Sequence, residues 1–249
     1  MALPSFLFSF SFKHKIWQTA LDESNGKMTL EVRNEEVQEI EFYLLDFQNR
    51  TLSDSFRVQQ ADWWTTTLKL TYPYLLLEQY GDPQNPTDKG LLIFHIKDQA
   101  IFSQVPGFQF ECFDGLDVHG YDLQDTNTRK SVTLEERLIS TDGTKDRLKN
   151  PVYFHPGTQS HDMVMEYLQL DEKSIGCEYF EEGSSIIISY YVRLGTKFER
   201  KLLVIHNEEE IYHAVVDEQV DGFASGGFFL YERIVVFIEN GYKINAIEL

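Results

Sequence analysis

The stretch from residue 90 to residue 105 constrains this chain most. Gly90 opens it, and Leu91-Leu92-Ile93-Phe94-His95-Ile96 follows as an apolar run. Lys97-Asp98-Gln99 then supplies turn chemistry, and Ala100-Ile101-Phe102 starts a second run back. This is the pattern of strand, tight turn and strand. It recurs at residues 40–58, 202–215 and 234–247, with a weaker copy at 118–134. Each copy pairs a chiefly apolar strand with an oppositely directed one, and each is preceded by another strand. A four-stranded antiparallel meander that repeats in this way is a propeller blade. Blades take roughly 40–50 residues, so 249 residues hold about five or six. The expected fold is therefore all-β and β-propeller-like, with five four-stranded blades in a single domain over residues 1–249. A β-sandwich or an extended meander is the alternative.

The ends of the chain suggest how the last repeat is completed. Residues 228–249 make an incomplete blade, and the strand around Trp17, Ile16 to Leu21, is spare. It is expected to pair with the last strand, residues 244–249. Upstream, Phe6, Phe8, Phe10 and Phe12 alternate with Leu7 and serines. Period-two alternation marks a half-buried strand rather than the apolar core of a signal peptide. Residues 141–159 are polar and read as an irregular excursion. Residues 161–170 are compatible with both periods: Met163, Val164, Tyr167 and Leu168 share a helix face, while Val164, Glu166 and Leu168 alternate.

Composition narrows the partners. With 42% hydrophobic and 14% aromatic residues, a sizeable core is available. The net charge is −18, from 40 acids against 22 bases. Nucleic acid needs a basic footprint, and none is present. An anionic membrane surface is disfavoured for the same reason. No run of about 18 apolar residues occurs, so no membrane-inserted helix is expected. Cys112 and Cys177 form no CxxC pair and belong to no zinc or redox motif. The expected setting is the cytoplasm.

The hairpins resemble quinoprotein-type propeller blades, in which a glycine precedes a strand and an Asp-containing turn follows. Gly90 and Lys97-Asp98-Gln99 match that pattern, while Phe102 stands where tryptophan is usual. The Trp-Asp ending of WD-type blades is absent. Over most of the chain, Trp17, Trp63-Trp64, the 80–90 loop and Glu178-Tyr179-Phe180-Glu181 resemble an uncharacterised bacterial family of domains of unknown function. That resemblance implies an architecture and carries no activity.

Three groups of residues are candidates for chemistry. The first is the 80–90 loop, stiffened by Pro83 and Pro86. Tyr80, Asp82, Asp88 and Lys89, with Trp63 and Trp64 shortly upstream, form the expected binding site for a protein or small-molecule ligand. Consecutive tryptophans on a strand face opposite ways, so one belongs to the core. The second is a set of strand carboxylates, Glu31, Glu78 and Asp114. Buried acids are costly unless paired or functional. If these line a channel, they suit a carbohydrate-active hydrolase, one as acid and one as base or nucleophile. Otherwise each glutamate faces solvent or pairs with Arg33 or Lys69. The third is His155 and His161 with Asp162, whose spacing matches no zinc signature. Gly222 to Gly227 lacks the ending and helix of a phosphate loop and reads as a turn between blades. A non-catalytic binding scaffold without cofactor or metal is the leading expectation, with the hydrolase second.

Overall fold

The computed structural model describes residues 6–82, 84–85, 87–114, 116–135, 147–169 and 174–249. The sequence predicts a strand over residues 132–139; its residues 136–139, with Pro83, Pro86, Gly115 and residues 141–146 of the polar stretch, lie outside the described residues. The chain divides into two compact units, Met1–Ser11 with Lys145–Leu249, and Phe12–Thr144.

Strand β1 (Phe8–Ser11) begins the described chain and belongs to the first of these units. The Phe12–Thr144 unit holds three antiparallel sheets. Its first sheet runs β2 (Lys15–Asp22), β3 (Lys27–Asn34), β4 (Glu39–Asp46) and β5 (Thr51–Leu52). The second runs β6 (Thr65–Thr71), β7 (Tyr74–Tyr80), β8 (Lys89–His95) and β9 (Ala100–Pro106). The third runs β10 (Phe108–Asp114), β11 (Asp117–Asp122) and β12 (Arg129–Thr133). In all three, strands neighbour one another in chain order, as in a meander.

The second sheet explains why its central strands are apolar throughout. Leu75 and Leu77 of β7, with Leu92 and Phe94 of β8, pack into one cluster with Ile40, Phe42 and Phe56. Their neighbours Tyr74, Leu76, Leu91 and Ile93 pack into another with Phe108, Val118 and Leu134. Alternate side chains leave a strand on opposite faces. Sheets one and three therefore cover the two faces of sheet two, and neither face can be polar. A fully buried leucine contributes about 1.5–3 kcal/mol relative to an exposed one, so this sheet anchors the unit.

The other unit repeats the theme with two sheets. After β13 (Leu148–Lys149), the fourth sheet runs β14 (Val152–Phe154), β15 (Cys177–Glu182), β16 (Ser185–Leu194), β17 (Lys197–His206) and β18 (Glu209–Val220). Helix α1 (Gln159–Tyr167) lies between β14 and β15 in sequence. The fifth sheet combines β19 (Phe228–Tyr231), β20 (Ile234–Glu239) and β21 (Lys243–Glu248) with β13 on one edge and β1 on the other. Ile187, Leu202 and Val204 of the fourth sheet pack against Phe228, Leu230, Val235 and Phe237 of the fifth. On the opposite face, Ile188, Tyr190 and Leu203 pack against Val164 of α1.

The fold is thus all-β, with five antiparallel sheets of three to five strands among the described residues. The five hairpins expected from the repeats are all present as β4–β5, β8–β9, β11–β12, β17–β18 and β20–β21. Two expectations are corrected and one open reading is decided. The strand that joins the C-terminal sheet is β1, with Phe8 opposite Ala246 and Ser11 opposite Lys243, not the Ile16 to Leu21 strand. The latter is part of β2 and pairs with β3 across a short turn. Asp22 holds that turn by accepting from Ser24 N at 3.0 Å and Asn25 N at 3.3 Å. A short hairpin closes at low entropic cost, so β2 is used locally and the upstream strand is left for the distant edge. The return strand of the 40–58 repeat shrinks to β5 plus one bridge between Phe42 and Phe56, because Phe56 and Val58 turn into the core. Residues 159–167 are helical, capped by Thr158, whose side chain accepts from His161 N.

Candidate functional site

The 80–90 loop joins β7 to β8, where Tyr80 stands opposite Lys89 and Gln79 opposite Gly90. Gly81 N donates to Asp88 O at 2.8 Å and closes the neck. Inside, Gln84 N donates to Asp82 Oδ1 at 2.9 Å, and Thr87 N donates to Asn85 Oδ1 at 3.1 Å. Both are local side-chain turns of the kind Asp and Asn favour. Gly90 is required by packing. A Cβ there would stand 2.8 Å from Val105 O and 3.1 Å from Pro106 Cα on β9. The glycine that opens the recurring hairpin thus lets two backbones approach.

Tyr80, Lys89 and Glu78 form one cluster on a single face. Lys89 Nζ lies 2.7 Å from Glu78 Oε2, and Tyr80 Oη donates to Glu78 Oε1 at 2.8 Å. That hydrogen bond, followed by burial, raises the Tyr80 phenol above its ordinary value. Beside the cluster is a concavity of about 330 Å³, bordered by Tyr80, Gly81, Asp88, Lys89, Gln104 and Pro106. The expected site residues Tyr80, Asp88 and Lys89 therefore converge, while Asp82 is turned into its own loop.

The tryptophans precede β6. Trp63 is half-buried and packs against the core of sheets one and two. Trp64 is 48% exposed, and its carbonyl accepts from Tyr80 N at 3.2 Å. They do face different surroundings, and neither borders the concavity, although Asp62 does. The Arg33 guanidinium lies 5.1 Å from the Trp63 ring centre and 4.9 Å from that of Trp17. Stacking of this kind is favourable for arginine. Neither the Trp17 contact nor the sandwich is legible in sequence spacing, because it joins β2, β3 and the entry to β6.

The carboxylates considered for hydrolysis are held by the fold. Glu31 is 0% exposed and accepts from Arg33 Nε at 2.7 Å and from Thr67 N at 2.7 Å. Glu78 uses both oxygens as described above. Asp114 is exposed at the end of β10, on a third sheet. His161 is buried in α1, whereas His155 is exposed with its ring against Tyr153. No group of three potential metal ligands gathers among the described residues. Gly226 N and Gly227 N of the glycine-rich segment donate to the Glu178 carboxylate at 2.5 and 2.8 Å. These amides hold an anion, and the anion is the protein's own.

Residues 21–102 match the family model described as Domain of unknown function (DUF4905). No curated protein matches the chain. Among solved structures, a chain in "Crystal Structure of Mitotic Checkpoint Complex" is similar at 8% identity and a TM-score of 0.39, covering 99% of this chain and 95% of that one. A Pyrococcus horikoshii acylaminoacyl peptidase is similar at 9% identity and a TM-score of 0.29, covering 91% of this chain but 36% of the peptidase. The AfRom2 CNH domain follows at 10% identity and a TM-score of 0.21, covering 99% of both chains. The family match covers the first sheet from its hairpin turn onward and most of the second. It therefore includes Trp63, Trp64 and the 80–90 loop. No helix of the described residues is long and apolar enough to cross a membrane.

Proposed function

We propose that this protein is a non-catalytic binding scaffold, a single propeller-like domain working in the cytoplasm, that engages a protein ligand through the concavity beside the 80–90 loop. The observation that carries this reading is the use of the candidate acids. Glu31 is matched by Arg33 and a backbone amide, and Glu78 by Lys89 and Tyr80. A hydrolytic pair needs one carboxyl free to give a proton and one free to attack or activate water. Two acids whose oxygens are already taken up by structural contacts meet neither need. The loop, by contrast, is stapled by its own side chains and offers Asp88 and Gln104 at the border of a concave surface. Two unbridged thiols, Cys112 and Cys177, suit a reducing compartment.

The test uses a phage-displayed library of random peptides selected on the wild-type protein. Recovered peptides should bind an Asp88→Ala, Gln104→Ala double variant at least about tenfold more weakly, a loss of about 1.4 kcal/mol. Its melting should match wild type. Lys89 is left in place because its removal would strand Glu78. Peptides that bind both proteins equally would remove the site. Turnover of a panel of aryl glycosides by the wild-type protein would restore the hydrolase reading.

A further inference from the structure

A second concavity, of about 370 Å³, lies in the Met1–Ser11 and Lys145–Leu249 unit, between α1 and the fourth sheet. Its builders follow from sequence. Ser160, Met163, Val164 and Tyr167 are spaced i, i+3, i+4, i+7 and form one helix stripe. Val164 plugs into the core with Cys177, Ile188 and Tyr190. Met163 and Tyr167 stay 63% and 54% exposed at the rim. Phe154 from β14 and Tyr179 from β15 stack with ring centres 5.6 Å apart and complete an aromatic wall.

Among the described residues, one charged group borders this mostly apolar space. Glu181, two residues after Tyr179, shares its strand face. Tyr179 Oη donates to Glu181 Oε2 at 2.6 Å. Burial, then this hydrogen bond, pushes the Tyr179 phenol up to about 12, so it remains a neutral donor. Among the described residues no basic side chain pairs with Glu181. The nearby Lys149 is held by Glu182, on the other face of the strand. The cavity thus presents aromatic faces, a polarisable methionine and one carboxylate that no described basic side chain neutralises. Each attracts a cation, and the surrounding apolar area favours a cation that carries hydrocarbon.

We infer that the groove between α1 and β15 binds a small organic cation, an alkyl- or arylammonium, with its charged head against Glu181 and its hydrocarbon among Phe154, Tyr167 and Tyr179. The site is independent of the 80–90 loop. Binding of benzyltrimethylammonium, followed by calorimetry on the full chain, tests it against the uncharged carbon isostere of the same shape. The cation should bind, and the isostere should bind at least about tenfold more weakly. Glu181→Gln should lower cation affinity by a similar factor. Because Glu181 is exposed and glutamine can still accept from Tyr179, melting should not change. Tyr167→Ala should also weaken binding, while Tyr179→Phe, which keeps the ring, should stay within about threefold. Absence of cation binding, equal affinity for the isostere, or an unchanged Glu181→Gln affinity would each overturn the assignment. Preference for the isostere would mark a purely apolar groove.

Discussion

Among the described residues, each unit has a buried glutamate and a buried arginine at a junction between two sheets, and the two junctions are wired differently. In the Phe12–Thr144 unit, Glu31 and Arg33 sit two residues apart on β3 and share a face. Arg33 donates to Glu31 and also to the carbonyls of Trp63 at 2.8 Å and Thr65 at 2.6 Å. Glu31 in turn accepts from Thr67 N. The pair therefore fastens the first sheet to the strand that opens the second. In the other unit, Glu178 of β15 accepts from Gly226 N and Gly227 N, just before β19. Arg200 of β17 donates to Gly227 O at 2.6 Å and Ile238 O at 2.8 Å. Its ion pair, however, is with Asp217 at 2.6 Å.

Both junctions tie a sheet to the entry of the next through buried charge and backbone. In the first, the two charges neutralise each other directly. In the second, backbone amides hold the carboxylate and a separate acid holds the arginine. The consequence is visible in protonation. Burial raises the Glu178 carboxyl above its usual range, only partly offset by the two amides and by Arg200. It is visible in sequence too. The second junction demands a glycine, because a Cβ on Gly227 would overlap Arg200 Nη1 and stand 2.7 Å from Glu178 Oε2 and 2.9 Å from Ser189 Oγ. The first accepts the β-branched Thr65 at the corresponding entry.

The largest expected effect separates the two arginines. Arg33→Met should strand Glu31 in the core and cost about 3–5 kcal/mol, the usual penalty for breaking a buried pair. Arg200→Met should cost less, about 1–3 kcal/mol, because Glu178 keeps both amide donors and the released Asp217 reaches solvent. Urea unfolding of the two variants measures the difference. Equal losses, or a larger loss at Arg200, would erase the distinction between the junctions.

Next in size is Gly227→Ala. Forcing a methyl into this packed contact should cost about 1–3 kcal/mol. A thermal melt within error of wild type would mean that the junction is looser than its geometry.

The smallest effect is in pH dependence. A carboxyl raised in the folded state binds its proton more tightly there than in the unfolded chain. Its contribution is fully present below the ordinary carboxylate range and is lost as pH rises through the raised value. Wild type should therefore lose stability relative to Glu178→Gln as pH rises from the ordinary carboxylate range through the raised value. A gap that moved in wild type's favour over that interval would show that the ionised form is the one the junction stabilises.

Periodicity and turn chemistry determined the all-β class and the five hairpins by themselves, because both are local. Leu91 to Phe94 is apolar at every position only if both faces are covered, and the chain records that directly. The Phe and Ser alternation of residues 6–12 likewise announced a strand. The rest was decided by tertiary structure. Which N-terminal strand reaches β21 depends on β2 being captured by its own short turn. That Glu31 meets Thr67 and Glu178 meets Gly226, 36 and 48 residues away, depends on how sheets stack, and no local pattern encodes it. Residues 161–170 fit both periods on paper. Helix formation there buries Val164 against Ile188 and Tyr190, and only packing could supply that preference.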